Sequence, residues 1–339
     1  MGGKVIFTEK PRNEISEIFG REKEINNIKN IIGNNDWISI LGPRMIGKTS
    51  LSLSILNYYN KKGYEISYID LRGSKNSKDF FIKLYENMPK KYIEKIKNNL
   101  DYFGINISGA GINFKFKNEP SKAIDYILKN INDRKIIIVL DEFQEIIYGI
   151  NYILNILHNL MMNNKNLIFI FTGSSIGLLK TLLDQKGSSP LAGRNPVKIV
   201  LRPWDKETAK KYLISGLNTC KKSYNEIDNV INNLGTITGW LNFYGERKCL
   251  DMDDALDDSI KEAISVAKKE IKNVINKSPW RKKALKMMIY GSTYSEMLKE
   301  LKVSTSTLAN FLDRLERLYL IERIESNYYI IDNVYKKAI

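Results

Sequence analysis

The 339-residue chain predicts a three-layer α/β fold with a parallel sheet, followed by an α-helical segment and a helix-turn-helix with a wing. Three observations carry this. Apolar runs at 37–41, 65–71, 135–142, 166–173 and 197–201 alternate with segments of helical spacing, the order of repeated strand–helix units. After Pro203 strand signals stop, and only helical periodicity continues to about 275. Between 279 and 331 three helical segments precede two alternating ones separated by Ser326-Asn327. The expected layout is an N-terminal arm (1–18), an α/β core (19–202) with a hairpin inserted at about 102–117, a helical lid (203–275) and a winged-helix unit (276–339).

Taken in order, residues 1–18 read as a weakly specified arm broken at Pro11-Arg-Asn13. Phe19-Gly-Arg-Glu-Lys-Glu24 opens an amphipathic helix with Ile25, Ile28, Ile31 and Ile32 on one face. Trp37-Ile-Ser-Ile-Leu41 reads as a buried strand and Ser50–Leu56 as the start of a helix, with Gly63 where a C-cap belongs. Residues 65–71 predict a second strand. Residues 75–100 predict one helix, with Phe80, Phe81, Leu84, Tyr85 and Met88 on its apolar face. Residues 102–116 alternate about Gly-Ala-Gly, a hairpin signal that fits a contact element or a packed decoration. Pro120 opens a helix to 131. Lys135-Ile-Ile-Ile-Val-Leu-Asp-Glu142 suits a parallel strand covered on both faces. A helix at 150–162, a strand at 166–173, a helix from 176 to 183, a break at Gly187-Ser-Ser-Pro190 and a strand at 197–201 complete the core. Beyond it come helices at 205–215 and 225–233, a turn bracketed by Gly235 and Gly239, and a long helix at 254–275. The last segment offers a helix at 280–290, the capping box Thr293-Tyr-Ser-Glu296, a helix from Ser304 to about Leu318 and the wing at 320–331.

Chemistry concentrates at two strand ends. Gly42-Pro-Arg-Met-Ile-Gly-Lys-Thr49 spells G-x-x-x-x-G-K-[ST] between a strand and a helix, the context that makes it a phosphate-binding loop. Gly42 and Gly47 let the backbone curl so that N–H groups, with the helix N-terminus behind them, point at a phosphate. Pro43, Arg44 and Ser50 belong to the same binding stretch. Lys48 is placed for the β- and γ-phosphates and the Thr49 hydroxyl for Mg²⁺. Asp141 is the second expected Mg²⁺ partner, directly or through water, and Glu142 the base that polarises an attacking water; a helix-capping role is the plain alternative for this pair. Thr172, Ser174 and Ser175 end the next strand as groups able to hydrogen-bond a γ-phosphate or that water. ATP or ADP with Mg²⁺ is the ligand expected.

The formal charge of +15 fits a polyanionic partner or a Lys-, Ile- and Asn-rich coding bias, and net charge speaks to association rather than fold. With only Cys220 and Cys249 there is no disulfide framework and no cysteine-built zinc site. His158, the single histidine, rules out His-paired metal sites. No apolar run spans a membrane and no signal peptide opens the chain, so a cytoplasmic protein is expected.

These motifs resemble the archaeal ATPase family, a branch of the AAA+/STAND class of P-loop NTPases, over about residues 19–250. Phe19-Gly20-Arg21-Glu22 is similar to the box that lines the adenine side of that family's pocket, Gly42–Ser50 to its phosphate loop and Leu140-Asp-Glu-Phe-Gln144 to its Walker B segment. Thr172-Gly-Ser-Ser175 looks like its sensor 1 segment. Ser189-Pro-Leu-Ala-Gly-Arg194 is similar to a stretch whose arginine is read as a γ-phosphate-sensing or finger residue, acting in cis or in trans; a salt bridge is the other reading of Arg194. The lid departs from the family's Gly-Gly-x-Pro pattern, reading Gly235-Thr-Ile-Thr-Gly-Trp240. The resemblance implies an ATP-hydrolysing conformational switch in which Lys48, Glu142, Arg194 and Ser174 serve catalysis. The rival is a nucleotide-gated DNA-binding regulator, and a nucleotide-holding scaffold is a third reading. The tail offers Ser304, Thr305, Ser306, Thr307 and Asn310 early on its second motif helix, with Arg281, Lys282 and Lys283 before it and Arg314, Arg317 and Arg323 after. It contacts DNA or docks on the ATPase core; a protein partner or a second copy of the chain is also open.

Overall fold

In the computed structural model, which describes residues 7–97, 120–131, 134–173, 196–276 and 278–339, the β-branched run Ile136–Asp141 (β3) is buried along its whole length. It lies in a five-stranded parallel sheet with β1 (Ile38–Leu41), β2 (Glu65–Asp70), β4 (Leu167–Gly173) and β5 (Val197–Val200), ordered β2-β3-β4-β1-β5. Alternation along the strands feeds two cores. Ile137 and Val139 pack with α1 (Glu22–Gly33) and α2 (Lys48–Asn60). Ile136, Ile138 and Leu140 face α3 (Ser77–Asn87), α5 (Pro120–Lys129) and α6 (Ile150–Asn163). That is the three-layer α/β class expected. Since the chain crosses from β1 to the far edge and returns, the ends of β1 and β3 flank β4 and open a crevice there.

The expected helix at 75–100 is two. Met88 is extended ahead of Pro89, which disfavours a helical residue before it, so α3 stops at Asn87 and α4 (Lys90–Lys97) restarts. The hairpin at 102–117, the helix at 176–183 and the break at 187–190 lie outside the described residues. Residues 7–18 depart from the weakly specified arm. Phe7 is buried against Tyr212, and a Cβ at Gly216 or Gly245 would come within 2.1 or 2.2 Å of its ring.

Four helices follow β5: α7 (Lys206–Thr219), capped by Asp205, α8 (Ile227–Leu234), α9 (Thr238–Cys249) and α10 (Ala255–Ile275). The turn expected around Gly239 is instead the first turn of α9, where Gly239 N–H donates to Met45 O at 2.9 Å and no Cβ fits beside Met45. Two cysteines cannot make a framework, but they make one cross-link, Cys220–Cys249, joining the ends of α7 and α9. The last segment comprises α11 (Pro279–Ile289), β6 (Ser292–Thr293), α12 (Tyr294–Leu301) behind the expected capping box, α13 (Thr305–Arg317), β7 (Ile321–Ile324) and β8 (Asn327–Ile330), the strands forming an antiparallel sheet ordered β6-β8-β7. A short α14 (Asn333–Ala338), too brief to announce itself by periodicity, packs on α10 and α8.

Candidate functional site

The loop after β1 folds as its glycines require. Gly42 has φ +155° with Leu201 O only 2.6 Å from where a Cβ would be, and Gly47 has φ +98° as the N-cap of α2. Met45 between them adopts φ +64°, a left-handed conformation that costs a non-glycine residue energy. Lys48 is buried, its Nζ donating to Gly42 O at 3.0 Å and Pro43 O at 2.8 Å. Burial pulls its ammonium below the ordinary lysine value, opposed by Glu142, Asp141 and Glu270. So Lys48 is held ready by the loop's own carbonyls, and Gly42 and Pro43 act through them.

Asp141, at the end of β3, is nearly inaccessible and wrapped by donors. Thr49 Oγ1 donates to Oδ2 at 3.0 Å, Tyr68 OH donates to the same oxygen, and Thr172 Oγ1 and the Glu142 N–H donate to Oδ1. Thr49 and Asp141 therefore present neighbouring hard oxygens of the kind Mg²⁺ takes. Among the described residues no cluster of three His, Cys, Asp or Glu could hold a metal by itself. Glu142 adopts φ +54°, and Gln144 Nε2 donates to its carboxylate. Gln144 fits there because residue 173 is glycine: a Cβ would lie 2.2 Å from Gln144 Oε1.

Of these groups, Lys48, Thr49 and Glu142 open on a cavity of about 290 Å³. Arg44, Met45, Lys48, Thr49, Ser50 and Glu142 line its phosphate end. The other end is aromatic: Phe19, Trp204 and Tyr212 meet at centroid distances of 4.9–5.9 Å. Arg21 is on this wall, but its polar atoms are committed to Glu24 at 3.2 Å and Arg202 O at 2.8 Å, so it shapes the pocket rather than offering a charge. Burial lowers its pKa. Gly20, at φ +62°, lies against Thr208 and Trp204 instead of lining the cavity. Ser174 and Arg194 lie outside the described residues.

Several lining residues were not expected from sequence. Thr8 to Arg12 of the arm form one wall, with Arg12 N–H on Ser50 Oγ at 3.2 Å and Arg12 Nη2 on Tyr212 OH at 3.1 Å. Thr238, Gly239 and Asn242 bring α9 to the cavity, although the sequence there departs from the Gly-Gly-x-Pro pattern. Arg72 reaches it from the end of β2. The strand reading of 65–71 placed Arg72 just past a strand end but gave it no role.

A family model described as an ATPase domain predominantly from Archaea matches residues 18–241. Among solved structures, the Walker-type ATPase of Pyrococcus abyssi superposes with a TM-score of 0.77 at 23% identity, covering 98% of this chain and 99% of that one. The ORC2 protein of Aeropyrum pernix, solved as ADPNP–ADP complexes, gives 0.59 at 11% identity, covering 97% and 93%. Cdc6p of Pyrobaculum aerophilum gives 0.50 at 12% identity, covering 94% and 92%. At such identities the likeness is one of fold. No curated protein matches the chain in sequence.

Proposed function

The chain belongs to the family of ATPase domains found predominantly in Archaea, and from that premise we propose that it binds ATP with Mg²⁺ in the cleft above β1 and β3, hydrolyses it, and uses the cycle as a conformational switch. The observation that carries this is the convergence of Lys48, Thr49 and Glu142 on one cavity, with Asp141 buried directly behind them and hydrogen-bonded to Thr49 Oγ1 and the Glu142 N–H. Lys48 would exchange the Gly42 and Pro43 carbonyls for β- and γ-phosphate oxygens. Thr49 and Asp141 would hold Mg²⁺, which supplies charge neutralisation when bound. Glu142, oriented by Gln144, would polarise the attacking water, and Phe19, Trp204 and Tyr212 would take the base. Ser174 and Arg194 keep their proposed roles, a hydrogen bond to the γ-phosphate or water and stabilisation of developing charge.

The test is steady-state ATP turnover with Mg²⁺. Glu142→Gln is expected to lose at least about a hundredfold in rate while still binding ATP. Unchanged turnover would remove Glu142 from the chemistry, and a wild-type protein unable to bind ATP would sink the whole reading.

We read residues 203–275 as a lid and 276–339 as a winged helix docked on it. Support comes from α14, where Asn333 Nδ2 donates to Asn232 O at 3.1 Å and Lys337 Nζ to Asn233 Oδ1 at 2.5 Å. The tail's cations are also partly engaged: Arg281 lies over the rings of Trp280 and Phe311, Lys283 pairs with Glu300, and Arg323 lies over Tyr328. A second reading, a nucleotide-gated DNA-binding regulator, rests on the exposed hydroxyls of Ser304, Thr305, Ser306 and Thr307 at the start of α13. Duplex binding that falls steeply with salt and changes with nucleotide would favour it. No helix among the described residues is long and apolar enough to cross a membrane, and the cytoplasm is our reading of location. A protein partner or self-association would suit a switch.

A further inference from the structure

Alternate residues of a strand share a face, and β2 uses this at its end. Ile69 and Leu71 enter the core with α3 and α6, while Tyr68 packs on the side of α2 and the phosphate loop. Asp70 and Arg72 continue the Tyr68 row. Tyr68 donates to Asp141, and Asp70 pairs in register with Asp141 across the β2–β3 ladder.

Arg72 is held with unusual care for a surface side chain. Its Nε donates to both Asp70 oxygens, at 3.0 and 2.8 Å, and its Nη2 to Oδ2 at 2.5 Å. Its backbone N–H donates to Asp70 Oδ1 at 3.0 Å, and Lys83 Nζ donates to its carbonyl at 3.0 Å. Gly73, at φ +77°, turns the chain away directly afterwards. The pair lowers the Asp70 pKa and raises that of Arg72. With the arginine side chain 70% exposed, such a pair does little for stability. What it does is aim a guanidinium. Arg72 lines the cavity shared by Lys48, Thr49 and Glu142, and among the described residues its Nη1 makes no hydrogen bond.

We propose that Arg72 contacts the γ-phosphate of nucleotide bound in its own chain, with Asp70 as its positioning residue, so that the cleft separates triphosphate from diphosphate. A guanidinium suits this task because its planar fork matches phosphate oxygens. The inference rests on the ATP-binding reading above.

The experiment measures equilibrium binding of a non-hydrolysable ATP analogue and of ADP, each with Mg²⁺, to wild type, Arg72→Ala, Arg72→Lys and Asp70→Asn. Arg72→Ala is expected to weaken the triphosphate analogue about ten- to a hundredfold, the worth of one charge-assisted contact, and ADP less than about twofold. Arg72→Lys should recover part of the difference, and Asp70→Asn should move the triphosphate-to-diphosphate ratio the same way by less. An unchanged ratio in Arg72→Ala overturns the proposal and leaves ATP binding standing. Wild type that binds neither nucleotide overturns both.

Discussion

Asp332 caps α14 from a site almost closed to water, accepting from Val334 N–H at 2.8 Å and Tyr335 N–H at 3.2 Å. Burial outweighs those donors and Lys336 and pushes its pKa up to about 7 from 3.8. The folded state thus prefers the protonated carboxyl. The associated stability is fully present below about pH 4 and is lost as pH rises through about 7, at up to about 1.4 kcal/mol per pH unit in between. Urea denaturation at pH 5 and pH 8 should show wild type weaker at pH 8. Asp332→Asn, which keeps a capping oxygen, should show a smaller difference; an equal difference would remove Asp332 as its source. The residues that motif chemistry requires were legible in sequence, since Lys48, Thr49, Asp141 and Glu142 stand where a strand–loop–helix and a strand end must put them. Asp332, Phe7 and Arg72 were not. Their roles depend on what meets them from distant parts of the chain, and Asp332 meets Gly235, where a Cβ would lie 2.7 Å from its Oδ2.

Helix α9 shows why an element escapes a periodicity reading. Gly239 and Gly245 argue against a helix by propensity, yet each is glycine because something presses on it, Met45 at one end and Phe7 further along. Tertiary contact overrides local preference there. By contrast, α12 and α13 were legible to within a residue or so, because Thr293-Glu296 and Ser304 cap them as the sequence signals. The Cys220–Cys249 bond ties α9 to α7 across a separation of 29 residues. A loop of that length contributes about 3–4 kcal/mol in the chain-entropy account. Reductant, or Cys220→Ser, is therefore expected to lower the thermal midpoint of wild type, and reductant should do nothing further to the serine variant. A midpoint insensitive to both would mean that packing alone holds the two helices.

Over the whole molecule, one core is confined to the α3, α5 and α6 side of the sheet, while the other runs without a break from α1 and α2 through the four helices after β5 into the C-terminal segment. The alternation of strands and helices foretold the first arrangement. The second depends on which faces meet after folding, so the units looked more separate in sequence than they are. Phe7 belongs to that continuous core. Phe7→Ala is expected to cost about 3 kcal/mol, toward the low end for a buried phenylalanine because the arm can detach locally, and to weaken nucleotide binding by loosening the wall at Thr8 to Arg12. Denaturation and binding measured together check this, and no change in either would make the arm a passive covering.

The same arm bears on time as well as on affinity. Phe7 is wedged between α7 and α9, and the five residues after it roof the cavity. A molecule leaving the cleft on that side has to wait for the wedge to lift or for two cross-linked helices to swing together. Escape by that route would be clocked by a protein movement instead of by diffusion, and long dwell times would be compatible with modest equilibrium strength. Under the switch proposed above, that would set how long the on-state lasts after hydrolysis.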